Sequence, residues 1–376
     1  AGTVTAASLT GDITGGAVTL TSLLMGDVSG GTVSAAALTG NISAGAVTLT
    51  GALTGNVLAG AGTVTAGSMA GNVGSSVTIS GALNGVITAG TNSIGSLTSA
   101  SVTGGTNTIT GAATVTTLNG GALTVGGVAT VTTLTTGTLN ANGATAAVTT
   151  LNGGNIALGA STALTVSDGT YAGVISGATG TLTKSGAGTL ILSGANTFGG
   201  AITISAGKLQ IGAGSTTGSI GAGAIANSGI LEISRSDNLS FANVISGTGS
   251  LTKSEAGTLT LATANTFDGG VTIAANGGTV IVGHNNALGA GQVTLAGNAA
   301  QLTLADGITV ANAMLLTSTG GVLARTLRLQ AGATSATYAG AISNLSTNTL
   351  AFTVDAGGTL TVSGIISGNG LSKTGD

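Results

Sequence analysis

The stretch SGAGTLILSGANTFGG at residues 185–200 returns, little changed, as SEAGTLTLATANTFDGG at 254–270. Leu190, Leu192, Asn196 and Phe198 in the first copy match Leu259, Leu261, Asn265 and Phe267 in the second. An antiparallel sandwich or barrel has no reason to repeat residue identities at one phase of its strands. A chain that coils, and stacks each coil on the last, does. Like residues then lie above one another at about 4.8 Å.

A shorter beat runs through the residues before this pair. GTVTAAS begins at Gly2, GAVTLTS at Gly16, GTVSAAA at Gly31, GAVTLTG at Gly45 and GTVTAGS at Gly62. A second marker keeps step: LTGDI from Leu9, LMGDV from Leu24, LTGNI from Leu38, LTGNV from Leu53 and MAGNV from Met69. VTTL follows at Val115, Val131 and Val148. Within each beat apolar and polar residues alternate, and glycine pairs or Asn-Gly end the short runs, as strands and turns require. The pattern predicts an all-β, parallel β-solenoid with aliphatic columns inside and Asn or Thr ladders at the turns. A beat near 15 residues is either one coil or half of a coil twice as long.

Composition agrees. Glycine supplies 70 of the 376 residues, and proline, cysteine and tryptophan are absent. Charged residues make up 5 %, against about 25 % in an ordinary soluble chain. No Lys or Arg precedes Lys184, and before it the acidic residues are Asp12, Asp27 and Asp168. No basic patch is present, so nucleic acid is not an expected partner. Without cysteine there are neither disulfides nor thiolate metal sites. No apolar run approaches the length of a spanning helix. The aromatic girdles of a membrane barrel are missing as well.

Longer copies surround the opening pair. VISGATGTLTKSGAGTLILSGANTFGGAITISAGKLQIG runs from Val174, VISGTGSLTKSEAGTLTLATANTFDGGVTIAANGGTVIVG from Val244, and GIISGNGLSKTGD from Gly364. This resembles the passenger-associated repeat of bacterial autotransporters, with Leu182, Lys184, Leu190, Leu192, Asn196 and Phe198 at its marked places. Leu251, Lys253, Leu259, Leu261, Asn265 and Phe267 fill them again. Glu255 stands where the pattern has glycine, and Ala262-Thr263 where it has Ser-Gly. The resemblance covers roughly residues 165–376, with repeats at 171–212 and 241–283 and a partial one at 364–376. Residues 1–164 share its general character as a short-period Gly/Thr/Val/Ala-rich solenoid. The resemblance implies a right-handed β-helix, exported to the bacterial surface or beyond it, in a natural protein that continues into a C-terminal outer-membrane β-barrel.

Candidate chemistry is sparse. His284 is the single histidine and reads as an exposed turn, because a catalytic base needs an acid and a nucleophile beside it. Asp237, Asp268, Asp306 and Asp355 are widely spaced, and Asp237 with Asp268 is the nearest approach to a glycosidase pair. SDG, FDGG and DAGG are isolated turns and not a calcium-binding series. Lys184, Lys253 and Lys373 share a repeat phase and read as outward, solubilising residues. Phe198 and Phe267 read as core. No catalytic, cofactor-binding or metal residue is expected, and no cofactor. The leading expectation is a structural or adhesive segment whose partners are a host or neighbouring-cell surface or further copies of itself. A self-assembling filament or surface-layer subunit is the alternative, and a polysaccharide-acting β-helix enzyme the second alternative.

Overall fold

The computed structural model describes residues 2–317 and 325–374; Ala1 and the last two residues of the 364–376 repeat lie outside them. Among the described residues every regular element is a β-strand, and the registers are parallel throughout. The chain forms a β-solenoid in two compact units. One is Ala1–Val166 with Gly173–Gly180; the other is Ser167–Ala172 with Thr181–Asp376.

In the first unit Val4, Val18, Val33, Val47, Val64 and Val77 are successive register partners. Leu9, Leu24, Leu38, Leu53, Met69 and Leu83 form a second column. Ile13, Val28, Ile42, Val57, Val73 and Ile87 bridge into a third. Partners lie 13 to 19 residues apart, so one beat is one coil and the doubled length is excluded. Past the first coil these side chains are almost wholly buried. Large and small residues interlock along a neighbouring column, with Ala6 against Leu20, Ala35 against Leu49 and Ala66 against Ile79. Each fully buried Val, Leu or Ile contributes roughly 1.5–3 kcal/mol.

The Leu-Thr-Gly-Asp/Asn motif builds one corner of each coil. Gly26, Gly40, Gly55 and Gly71 hold φ between +143° and +152°. A Cβ on Gly40 would sit 2.0 Å from the carbonyl oxygen of Gly26, and one on Gly55 1.9 Å from that of Gly40. Only glycine fits both the dihedral and the space. The next residue makes the expected polar ladder. Asp12 accepts the amide of Asp27 at 2.8 Å, Asp27 that of Asn41 at 2.6 Å, Asn41 that of Asn56 at 3.0 Å and Asn56 that of Asn72 at 2.9 Å.

One aliphatic column is interrupted by amides. Asn92 and Asn107 take inward places after Val77 and are 2 % and 0 % exposed. The Asn92 amide donates to Asn107 Oδ1 at 2.7 Å and to the Ala89 carbonyl at 3.1 Å. Asn107 donates to the carbonyls of Gly104 and Ala122, each at 3.1 Å.

In the second unit the coils are longer, with register partners 19 to 28 residues apart. Leu190, Leu209, Leu231, Leu251, Val271 and Val293 stack in one column. Leu259, Val280, Leu302 and Leu327 stack in another. Both columns are fully buried.

Candidate functional site

Each repeat copy is a corner: a strand, a tight turn and a second strand. Thr181–Lys184 and Thr189–Leu192 flank the first turn, Ser250–Lys253 and Thr258–Leu261 the second. The lysine of each copy is 0 % or 1 % exposed, which corrects the expectation that Lys184 and Lys253 face outward. Lys184 Nζ donates to the carbonyls of Ser185, Gly186 (2.9 Å) and Ala206 (3.3 Å). Lys253 Nζ donates to the carbonyls of Glu255 and Arg235 (3.2 Å). The aliphatic stem lies in the core while the ammonium gathers turn carbonyls. Burial pushes Lys253 down to about 8, with Glu255 and Asp237 opposing that shift. Burial also lowers Lys184, opposed by Asp168. Lys373, in the last described coil, is exposed.

The two lysines do not form a column. Lys184 has Ile204 and then Asn227 as its successive partners. Lys253 lies between Ile233 and Ile273. Likewise Leu190 pairs in register with Leu209, one coil of the column that later holds Leu251, while Leu259 belongs to the column of Val280. The second copy is therefore displaced by one face relative to the first. What repeats is the stapled corner, which works between any two consecutive faces. The signal for the lysines was in the sequence: each sits two residues after an inward leucine, Leu182 or Leu251, and so shares its side of the strand.

The recurring asparagine and phenylalanine of each copy complete the corner. Asn196 donates to the carbonyl of Ser219 at 2.9 Å, one coil on. Asn265 accepts the amide of Ile245 at 2.8 Å and donates to the carbonyl of Ala287 at 2.7 Å, tying three coils. Phe198 and Phe267 are fully buried, as expected.

The carboxylates are dispersed. Asp237 pairs with Arg235, Nε to Oδ1 at 2.8 Å and Nη2 to Oδ2 at 2.6 Å, and that bonding holds its carboxyl below the usual range. Asp306 caps a turn, accepting from the amides of Thr334 (2.7 Å) and Ser335 (3.0 Å), and is lowered by those bonds. Asp355 pairs with Arg328 at 3.2 Å. The backbone of Asp237 packs against Gly257 in the following coil, while Asp268 has Gly247 before it and Gly291 after it. The structure thus does not bring Asp237 and Asp268 to one corner. His284 is exposed, and its Nδ1 accepts the amide of Asn286 at 3.1 Å. Among the described residues no group of three or more His, Cys, Asp or Glu could hold a metal ion.

A shallow groove of about 560 Å³ opens beside the 212–219 excursion, lined by Ser193, Gly194, Thr216, Thr217, Ser219 and Arg235. Its one cation is already engaged, since Arg235 binds Asp237 and the carbonyls of Thr216 (2.8 Å) and Gly218. The groove offers hydroxyls and backbone and no acid–base pair. Of the other basic residues, Lys184, Lys253 and Arg325 are buried, and Lys208 and Arg328 are ion-paired. These residues give no cationic surface for a phosphate backbone.

Comparison with known proteins supports the repeat reading. Residues 182–211 and 251–282 match the passenger-associated-transport-repeat family. An 85-residue stretch, 22 % of the chain, is 46 % identical to the Adhesin BmaC autotransporter of Brucella suis biovar 1 (strain 1330). That stretch corresponds to 2 % of the length of this relative. No solved structure matches the chain.

Proposed function

We propose that the chain is a structural and adhesive segment of an exported bacterial surface protein, part of the β-solenoid passenger of an autotransporter. The observation that carries this reading is the stapled passenger repeat, present twice and built into a parallel solenoid. The likeness to an autotransporter adhesin points the same way. The mechanism is geometric. Coils joined to their neighbours by continuous backbone bonding present long lateral faces, and contact is made by area and shape instead of by a reactive centre. An outer-membrane β-barrel is the expected C-terminal anchor, and the partners are a foreign surface or neighbouring copies. The dispersed carboxylates give the enzyme alternative no support from geometry.

The test is display. Residues 1–376, epitope-tagged at the N-terminal end, are fused ahead of a translocating β-barrel in a bacterial host. Antibody should reach the tag on intact cells, and these cells should adhere to a surface or to each other more than cells carrying the barrel alone. A tag retained inside the envelope, or adhesion equal to that of the barrel-only cells, overturns the proposal.

A further inference from the structure

The first unit carries a face whose side chains repeat as regularly as its core. Outward from the valine column, Thr19, Ser34, Thr48, Thr65, Thr78 and Ser93 follow one another in unbroken register. All but the half-buried Thr65 are exposed. Two residues earlier on each strand a second rank holds Thr32, Thr63, Thr91 and Thr106 among alanines and a serine. Strand geometry sets the spacings: about 4.8 Å from coil to coil and about 6.6 Å between ranks.

Three further observations bear on what such a face can hold. It carries no charge, because residues 1–183 contain no Lys or Arg, and Asp12 and Asp27 lie on the glycine corner instead. Its hydroxyls in the first rank make no hydrogen bond to protein atoms among the described residues, whereas some hydroxyls elsewhere on the coils are engaged. Thr88 donates to the carbonyl of Val73 at 3.1 Å, Ser75 to that of Ala61 at 3.1 Å and Thr135 to that of Leu118 at 3.3 Å. Finally, threonine is stiff at χ1, so equivalent residues in register present hydroxyl and methyl in the same directions.

We infer that this face binds crystalline water: it is an ice-binding surface. A single water on a single hydroxyl gains little over bulk, because its ordering costs up to about 2 kcal/mol. An occupant whose own oxygens repeat at the spacing of the ranks is different. It engages every hydroxyl at once for one loss of rigid-body freedom. Hexagonal ice likewise repeats its oxygens at spacings of this order along two perpendicular directions of its prism face. The crystal is neutral, as is the face, so no ion has to be stripped of water on contact. The methyl groups between hydroxyls exclude loose water and leave room for ordered water. This inference is independent of the adhesive role.

The test uses the purified full chain in nanolitre thermal-hysteresis and ice-recrystallisation assays. The chain should arrest ice growth. The triple variant Thr48→Lys, Thr65→Lys, Thr78→Lys should lose at least about fivefold of that activity, since matched contacts fail together. Thr39→Lys, Thr54→Lys, Thr98→Lys, placed on another exposed face, should retain it. Circular dichroism follows folding. If the first triple does not fold, Thr65→Tyr, which breaks the plane at one coil, is read in its place and should lose activity. No hysteresis and no inhibition of recrystallisation in the parent chain, or equal loss in both triples, overturns the inference.

Discussion

Lys253 holds an ammonium where water does not reach, and that single placement makes stability depend on pH. Its ordinary value of 10.5 falls to about 8 in the folded chain, with burial as the main cause. Between those values the unfolded chain still binds a proton that the folded chain has released. Stability therefore rises with pH across that window, and the cost of burying the charge is fully felt below it. Lys184 shifts in the same direction. Tyr338 works the other way above its ordinary value of 10, because burial raises it. The unfolding free energy should thus increase by roughly 1–2 kcal/mol from about pH 7.5 to about pH 9.5. Lys253→Met should flatten most of that slope in denaturant titrations. An unchanged slope would mean that another group carries it. The orientation of these lysines was legible only to a reading that trusted alternation over charge. Composition argues that a rare cation faces water, and of the three carbonyl acceptors around Lys184 those of Ser185 and Gly186 belong to its own turn, while that of Ala206 becomes a neighbour only after the next coil closes.

Among the elements, the strand Thr91–Val102 departs furthest from its fellows, because Asn92 sits where earlier coils have valine. With Asn107 it forms a buried amide pair that also serves the turn carbonyls of Ala89 and Gly104. Removing one partner leaves a buried polar group unsatisfied, at a cost of about 1–3 kcal/mol. Asn107→Leu should be destabilising by that amount. Asn92→Leu with Asn107→Leu should cost about 1 kcal/mol less than the two single changes added together. Strict additivity in chemical unfolding would show that the amides act separately. Most strands, by contrast, were legible at once. Val18, Leu24 and Val28 are inward because the alternation, the glycine spacing and the beat all agree. Asn92 was hidden because TNSIGS, read alone, looks like a turn. Its burial depends on Asn107 in the following coil.

Within each unit of the molecule, a coil is bonded to the coil before it and the coil after it, and stability accumulates one interface at a time. Leu38 and Leu53 are register partners, so deleting residues 39–53 joins Leu38 to Thr54, the equivalent of Thr39. That shortened chain should fold, keeping its β-sheet circular dichroism and a cooperative thermal transition. Deleting only 39–46 shifts every later residue out of phase with the columns beneath it and should abolish the transition. The coil length itself was ambiguous in sequence. The choice between a coil of one beat and a coil of two was made by chain closure, which composition and periodicity do not encode.

The stacked glycines at Gly26, Gly40, Gly55 and Gly71 carry a consequence for how such a gene changes length. Replication slippage between similar beats adds or removes DNA in units set by the repeat. A product that gains a whole turn meets the next glycine in place and keeps its shape. A product that gained a fraction and set another residue at that corner would meet a carbonyl at about 2 Å, as a Cβ on Gly40 or Gly55 does.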